Sequence, residues 1–154
     1  MCLGCIGTDQ FHYHIFAADV NVDWRFEEGY RGLIVHDLSE FPYPFKDDEF
    51  ELVFASHVLE HLDNPQKALY EMLRIGRVVE IYVPHRYSLY AKHKEHRAVF
   101  SCSWFKQVLK GLPVNYTDEV TWNFPFGFRP RDIHIKIVKK DSIPLFSTKT
   151  KSLK

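Results

Sequence analysis

Residues 33–62, LIVHDLSEFPYPFKDDEFELVFASHVLEHL, gather the side chains best suited to chemistry into two spots. Asp37 follows a short apolar run. A carboxylate just past the carboxyl end of a parallel strand is where open α/β sheets bind nucleotides. Ser56, His57, Glu60 and His61 follow a second apolar run, ELVFAS. An imidazole titrates near neutrality, so His57 is a candidate to take a proton from a substrate, and His85 is another. HVLEH also fits H-x-x-E-H. In that pattern two histidines four apart on one helix face bind zinc, and the glutamate acts as general base. The zinc pattern needs a continuous helix and a further carboxylate ligand. Here Asp63-Asn64-Pro65 starts a new helix soon after His61, and no third ligand is evident. Cys2-x-x-Cys5 has metal spacing but lacks a partner pair, and Cys102 stands alone. The expectation is no bound metal, with zinc hydrolysis a distant reading.

The elements that must position these groups can be read from periodicity and punctuation. LIVH predicts a strand over residues 33–36. FPYPF is a stiffened loop, since each proline fixes its own φ and extends the residue before it. KDDEF is a polar turn, and residues 50–55 form a buried strand. A helix is predicted over 65–75: Asp63 or Asn64 caps it, Pro65 suits its first position, and Ala68, Leu69, Met72 and Leu73 make one apolar stripe. Residues 78–83 form a strand stopped by Pro84. A second helix runs over 103–110, with Ser101 or Ser103 as cap and Gly111 beyond its end. Residues 119–122 and 132–138 alternate as strands joined by the loop 123–130. Residues 13–17 are a further strand, and 2–6 an apolar remnant ahead of Gly7.

Four linked pieces, HDL, FPYPF, DDEFELV and ASHVLEH, stand in the order and spacing of a known group. In them the chain resembles the class I S-adenosylmethionine-dependent methyltransferases, in particular those labelled methyltransferase type 11. The resemblance is strong over residues 33–84 and looser over 1–100. It implies an α/β fold: a Rossmann-like, mostly parallel twisted sheet with flanking helices and an antiparallel C-terminal hairpin, seven strands in all. It also implies S-adenosylmethionine as cofactor, lying across Gly4 and Gly7, Asp23 or Asp19, Asp37-Leu38 and Ser56-His57. Asp37 would accept the adenine amino group, the Leu38 backbone N–H would face a ring nitrogen, and Asp23, with Asp19 the spare, would hold the ribose hydroxyls. The chain departs from the pattern in its first motif. MCLGCIGTD carries a truncated or degenerate glycine turn, without the acidic residue that usually precedes the first glycine. Glu51 stands where the group usually has Asp.

Residues 84–101, PHRYSLYAKHKEHRAVFS, mix Arg86, Lys92, Lys94 and Arg97 with Tyr87, Tyr90 and histidines, His85 among them. The stretch follows the strand VVEIYVP, at the sheet edge where acceptor loops sit in such folds. Cations interleaved with aromatic rings suit an anionic or planar acceptor, and His85, Arg86, Tyr87 and Tyr90 are the expected contacts.

The chain has 154 residues, with 45% hydrophobic and 16% aromatic residues. That is material for one domain, expected over residues 1–140, which would bury about 70% of its unfolded surface. Residues 141–154 form a basic tail. Twenty Lys and Arg balance twenty Asp and Glu, so bulk attraction to nucleic acid or membrane is not indicated, although nucleic acid stays open as acceptor. There is no apolar run of membrane-spanning length and no signal-like start. An odd set of three cysteines then suggests reduced thiols and a cytoplasmic protein. Two readings compete: a methyltransferase of unknown acceptor, and a non-catalytic, truncated methyltransferase-like binding module or subunit.

Overall fold

The computed structural model describes residues 2–5, 21–22, 33–34, 36–122 and 129–140. Its strands are β1 (Cys2–Cys5), β2 (Asn21–Val22), β3 (Leu33–Ile34), β4 (Phe50–Ser56), β5 (Gly76–Pro84), β6 (Val114–Trp122) and β7 (Pro130–Lys139). They form one seven-stranded sheet in the order β3-β2-β1-β4-β5-β7-β6. The strands from β3 to β5 are mutually parallel, and β7 runs antiparallel to both β5 and β6. This is the mostly parallel α/β sheet with an antiparallel C-terminal hairpin that the sequence implied. Residues 13–17, 123–128 and the tail 141–154 lie outside the described residues.

Helix α1 (Pro65–Ile75) forms where the capping signals put it: the Asn64 side chain accepts from the Lys67 N–H at 3.1 Å, and Pro65 opens the first turn. Its stripe of Ala68, Leu69, Met72, Leu73 and Ile75 is buried against β4 and β5. Gly76 passes directly from α1 into β5. A Cβ there would stand 2.5 Å from Val53 Cγ2, so only glycine permits this close crossing. Helix α2 (Cys102–Val108) starts on a Ser101 cap and ends two residues before the 103–110 expectation, with the buried Leu109 as its C-cap.

Alternation builds the core. Val79, Ile81 and Val83 of β5 face the same side as their partners Ile137, Ile135 and Ile133 of β7, and all six are buried. The opposite face carries Glu80 and Lys136, joined at 2.7 Å, and a Tyr82–His134 ring stack at 4.3 Å. The 33–36 expectation holds for Leu33–Ile34, whereas His36 lies beyond the strand. Among the described residues no helix is long and apolar enough to cross a membrane.

The loop FPYPF packs inward. Tyr43 is 2% exposed, and its hydroxyl donates to the Leu38 carbonyl at 3.1 Å. Burial, then the Glu71 and Asp37 charges, pushes the Tyr43 phenol well above its ordinary range. Arg74 of α1 holds the loop from below, donating to the Phe45 carbonyl at 2.8 Å and the Tyr43 carbonyl at 3.0 Å. Local stiffness and a distant arginine therefore fix the segment that follows Asp37.

Candidate active site at the carboxyl edge of the sheet

Several predicted site residues follow the carboxyl ends of successive parallel strands. Asp37 follows β3, Ser56 ends β4, His57 leaves it, and His85 leaves β5. Ser56 pairs with Cys5 on one side and Tyr82 on the other, so the β4 end lies between the ends of β1 and β5. Gly4 falls inside β1, between Leu3 and Cys5, where the register to β4 shifts. A shifted register in a strand often marks a close approach of backbone to a ligand. Cys2–Cys5, an apolar remnant by its sequence alone, is thus a central strand. Gly7, Asp19 and Asp23 lie outside the described residues; in the chain Asp23 directly follows β2, whereas Asp19 precedes it.

Asp37 is exposed, and its Oδ1 accepts from the Ser39 N–H at 2.8 Å, closing an Asx turn. Leu38 is buried with its carbonyl on Tyr43.

His57 adopts φ +53°, a left-handed conformation uncommon for a residue with a Cβ. Its backbone N–H still donates to the Tyr82 carbonyl at 2.9 Å, and its side chain meets Glu60, Nδ1 to Oε1, at 3.1 Å. The turn swings the chain out of β4 into a single 3-10 turn, Leu59–His61. HVLEH is therefore not one continuous helix, and His57 and His61 do not share the helical face that a zinc peptidase motif requires.

Glu60 is 1% exposed. Its Oε1 faces His57, while its Oε2 is buried without a hydrogen-bond partner. Its carbonyl accepts from the backbone N–H of Arg97 at 2.7 Å and of Ala98 at 3.1 Å, which draws the basic loop across the β4 end. Burial opposes the charged form of His57, but the Glu60 hydrogen bond and charge, with Asp132, outweigh it and raise its pKa. Asp132, itself buried and paired with Arg131 at 3.1 Å, has its carboxyl pKa raised by that burial.

In the loop after β5, the His85 N–H donates to the Arg131 carbonyl, and His85 Nδ1 accepts from the Tyr87 N–H at 3.2 Å. Burial and the neighbouring Arg86 lower the His85 pKa. Arg86, Tyr87 and Tyr90 are exposed, with the Arg86 guanidinium 5.3 Å from the Tyr87 ring centre. His61 and His96 meet edge to face at 4.8 Å, and burial lowers the pKa of both. Cys102 offers no reactive thiolate, because burial and Asp118 push its thiol up to about 11. Sequence reasoning does not foresee the burial of Glu60 or the arrival of His96 beside it. Their only signal is a glutamate between histidines, followed by a histidine-bearing loop.

Residues 4–78 match the methyltransferase domain family. Comparison with curated proteins returns no match. Among solved structures, an S-adenosylmethionine-dependent methyltransferase from Thermotoga maritima superposes with a TM-score of 0.53 at 16% identity, covering 71% of this chain and 65% of that one. The chain thus spans just under two thirds of that protein. The YcgJ protein of Bacillus subtilis gives 0.57 at 12% identity, over 80% of this chain and 82% of its own. The plantazolicin methyltransferase BpumL, solved with a desmethyl substrate analogue and S-adenosylhomocysteine, gives 0.54 at 15% identity, over 79% of this chain and 66% of its own. Residues 4–78, just under half of the chain, are thus similar in sequence to the methyltransferase domain family, and the sheet has the fold of solved S-adenosylmethionine-dependent methyltransferases.

Proposed function

We propose that the chain binds S-adenosylmethionine along the carboxyl edge of its sheet and transfers the methyl group to an acceptor held by residues 85–97. The observation that carries this reading is that Asp37, Ser56, His57 and His85 all follow or end parallel strands, β3, β4 and β5, of one sheet. The residues present suit the cofactor: an exposed carboxylate at Asp37 and a strand whose register shifts at Gly4. When bound, S-adenosylmethionine supplies an electrophilic methyl group on a sulfonium. Asp37 accepts from the adenine amino group, the Leu38 N–H faces the ring, and Asp23, with Asp19 as the spare, takes the ribose hydroxyls. Gly4 and Gly7 let the backbone come close. Ser56 and His57 face the reacting end.

His57 is well placed to accept the acceptor's proton. Its Nδ1 is occupied by Glu60, which orients the ring and stabilises the imidazolium once formed. His85, with Nδ1 also engaged, is the alternative base. Arg86, Tyr87 and Tyr90 contact the acceptor, which we take to be anionic. Alignment of acceptor and methyl donor supplies much of the rate, so the loop's main task is to orient.

Titration calorimetry with S-adenosylmethionine and S-adenosylhomocysteine tests this reading, with saturable binding of one ligand per chain as the expected result. No heat and no thermal shift at millimolar ligand would select the competing reading, a non-catalytic methyltransferase-like module. The shortened glycine motif MCLGCIGTD, without an acidic residue ahead of its first glycine, is the observation that favours that alternative. A second test addresses the loop. Arg86→Ala combined with Lys92→Ala should weaken acceptor binding and flatten its salt dependence, because exposed charges act through a screened field. Cofactor affinity should be unchanged. Wild-type acceptor binding in the double variant would make the loop a solvated edge.

A further inference from the structure

We propose that Glu60, His61 and His96 form a binding site for a divalent first-row cation of the zinc type. One potential ligand atom from each residue lies within 4.8 Å of the others. Ligands about 2.1 Å from a tetrahedral ion stand roughly 3.4 Å apart, so small side-chain rotations close the set.

Two of the three residues carry an atom whose situation calls for a partner. Glu60 Oε2 and His96 Nδ1 are both buried and make no hydrogen bond. Leaving such groups desolvated and unpaired costs about 1–3 kcal/mol each, and more for a charged one. A cation between them removes both deficits at once. Glu60 is already held on its other side, where Oε1 meets His57 Nδ1 at 3.1 Å, and the His61 and His96 rings stand edge to face at 4.8 Å. Outer contacts of the first kind orient a ligating side chain.

The donor set selects the class of ion. Two imidazoles and one carboxylate suit zinc, manganese, iron or cobalt, whereas magnesium and calcium favour all-oxygen shells. The placement is unlike that of a zinc peptidase. His57 is not a ligand but a positioning residue behind Glu60, and the third ligand comes from the loop after β5. Sequence spacing alone points away from metal for want of that ligand. The cation's structural effect follows from where its ligands sit: it ties the loop bearing Arg86, Tyr87 and Tyr90 to the end of β4. Loop order then depends on cation.

The site can be tested with no cofactor present. Protein purified without a histidine tag and treated with chelator is titrated with Zn2+, Mn2+, Co2+ and Mg2+ by calorimetry, and the Co2+ form is read by its visible absorption. The expected result is one ion per chain, with Zn2+ and Co2+ preferred over Mg2+. His96→Ala and Glu60→Gln should each weaken binding at least tenfold, while His93→Ala, a neighbouring histidine outside the set, should not. Trypsin cleavage at Lys92 and Lys94 should slow when the ion is bound. No uptake by the wild-type protein would overturn the proposal, whatever the variants do. So would uptake that His96→Ala leaves unchanged, or a preference for Mg2+. His96 is a loop residue outside the hydrophobic core, so its variant is expected to fold, and a circular dichroism spectrum verifies this.

Discussion

Arg74→Met is expected to destabilise the fold by about 2–3 kcal/mol, the upper range for losing hydrogen bonds to charged groups in a part-buried network. Arg74 and Glu71 are 16% and 15% exposed, and they meet in a fork: Nε to Oε1 at 3.1 Å and Nη2 to Oε2 at 2.8 Å. The same guanidinium donates to the Phe45 and Tyr43 carbonyls, and Glu71 Oε2 accepts from the Tyr43 N–H at 2.7 Å. Methionine fills similar space but leaves the Glu71 carboxylate with the Tyr43 N–H and no cation, and takes the Arg74 donor from two loop carbonyls. The Asp47 contact at 2.8 Å adds little, because that carboxylate is 66% exposed and solvent screens it. For a chain of this length the melting temperature should fall by on the order of 10 °C. Arg74→Lys should recover only part of the loss, since an ammonium cannot reproduce the fork. A chemical-denaturation difference below about 1 kcal/mol would show that the network is an ordinary surface cluster. The variant also tests function. The network holds the loop that fixes Leu38 through Tyr43, so surviving folded protein should bind S-adenosylmethionine more weakly.

Asp37→Ala should weaken S-adenosylmethionine binding by about 1.5–3 kcal/mol, roughly ten- to a hundredfold, the range for hydrogen bonds to a charged group. The expectation rests on the proposed adenine contact and on the exposure of Asp37 at the sheet edge. Alanine also removes the Asx turn to Ser39. Asp37→Asn separates the two effects. Its amide oxygen can keep the turn, but it lacks the charge that strengthens the contact to the adenine amino group. The asparagine variant should melt like wild type and still lose affinity. Unchanged affinity in both variants would remove Asp37 from the adenine site. Loss in the alanine variant alone would assign the residue to the turn.

Elements set by neighbours along the chain are legible in the amino-acid sequence. Helix α1 begins and ends where Asn64, Pro65 and its apolar stripe say it should, since caps and periodicity act over three or four residues. Strand β4 and the antiparallel ending are legible for the same reason. β1 is not. Four residues, CLGC, have no strand signature of their own and become a central strand only by pairing with Asn21–Val22 on one side and Phe54–Ser56 on the other. That Asp37, Ser56, His57 and His85 follow strand ends can be read from their order in the chain, because a parallel sheet puts the residue after each strand at one edge. Their surroundings cannot. HVLEH matches a one-helix zinc pattern, but the strand before it and the helix start at Asp63-Asn64-Pro65 already favour a junction, and the β5 contact at Tyr82 and the positive φ of His57 show the turn itself. The clearest case is His96. Nothing local distinguishes it from His93, yet the backbone bonds from Arg97 and Ala98 to Glu60 bring it against His61. Residue types and their order are properties of the chain, whereas the meeting of side chains far apart along it is decided by closure of the loops between them, which no local pattern encodes.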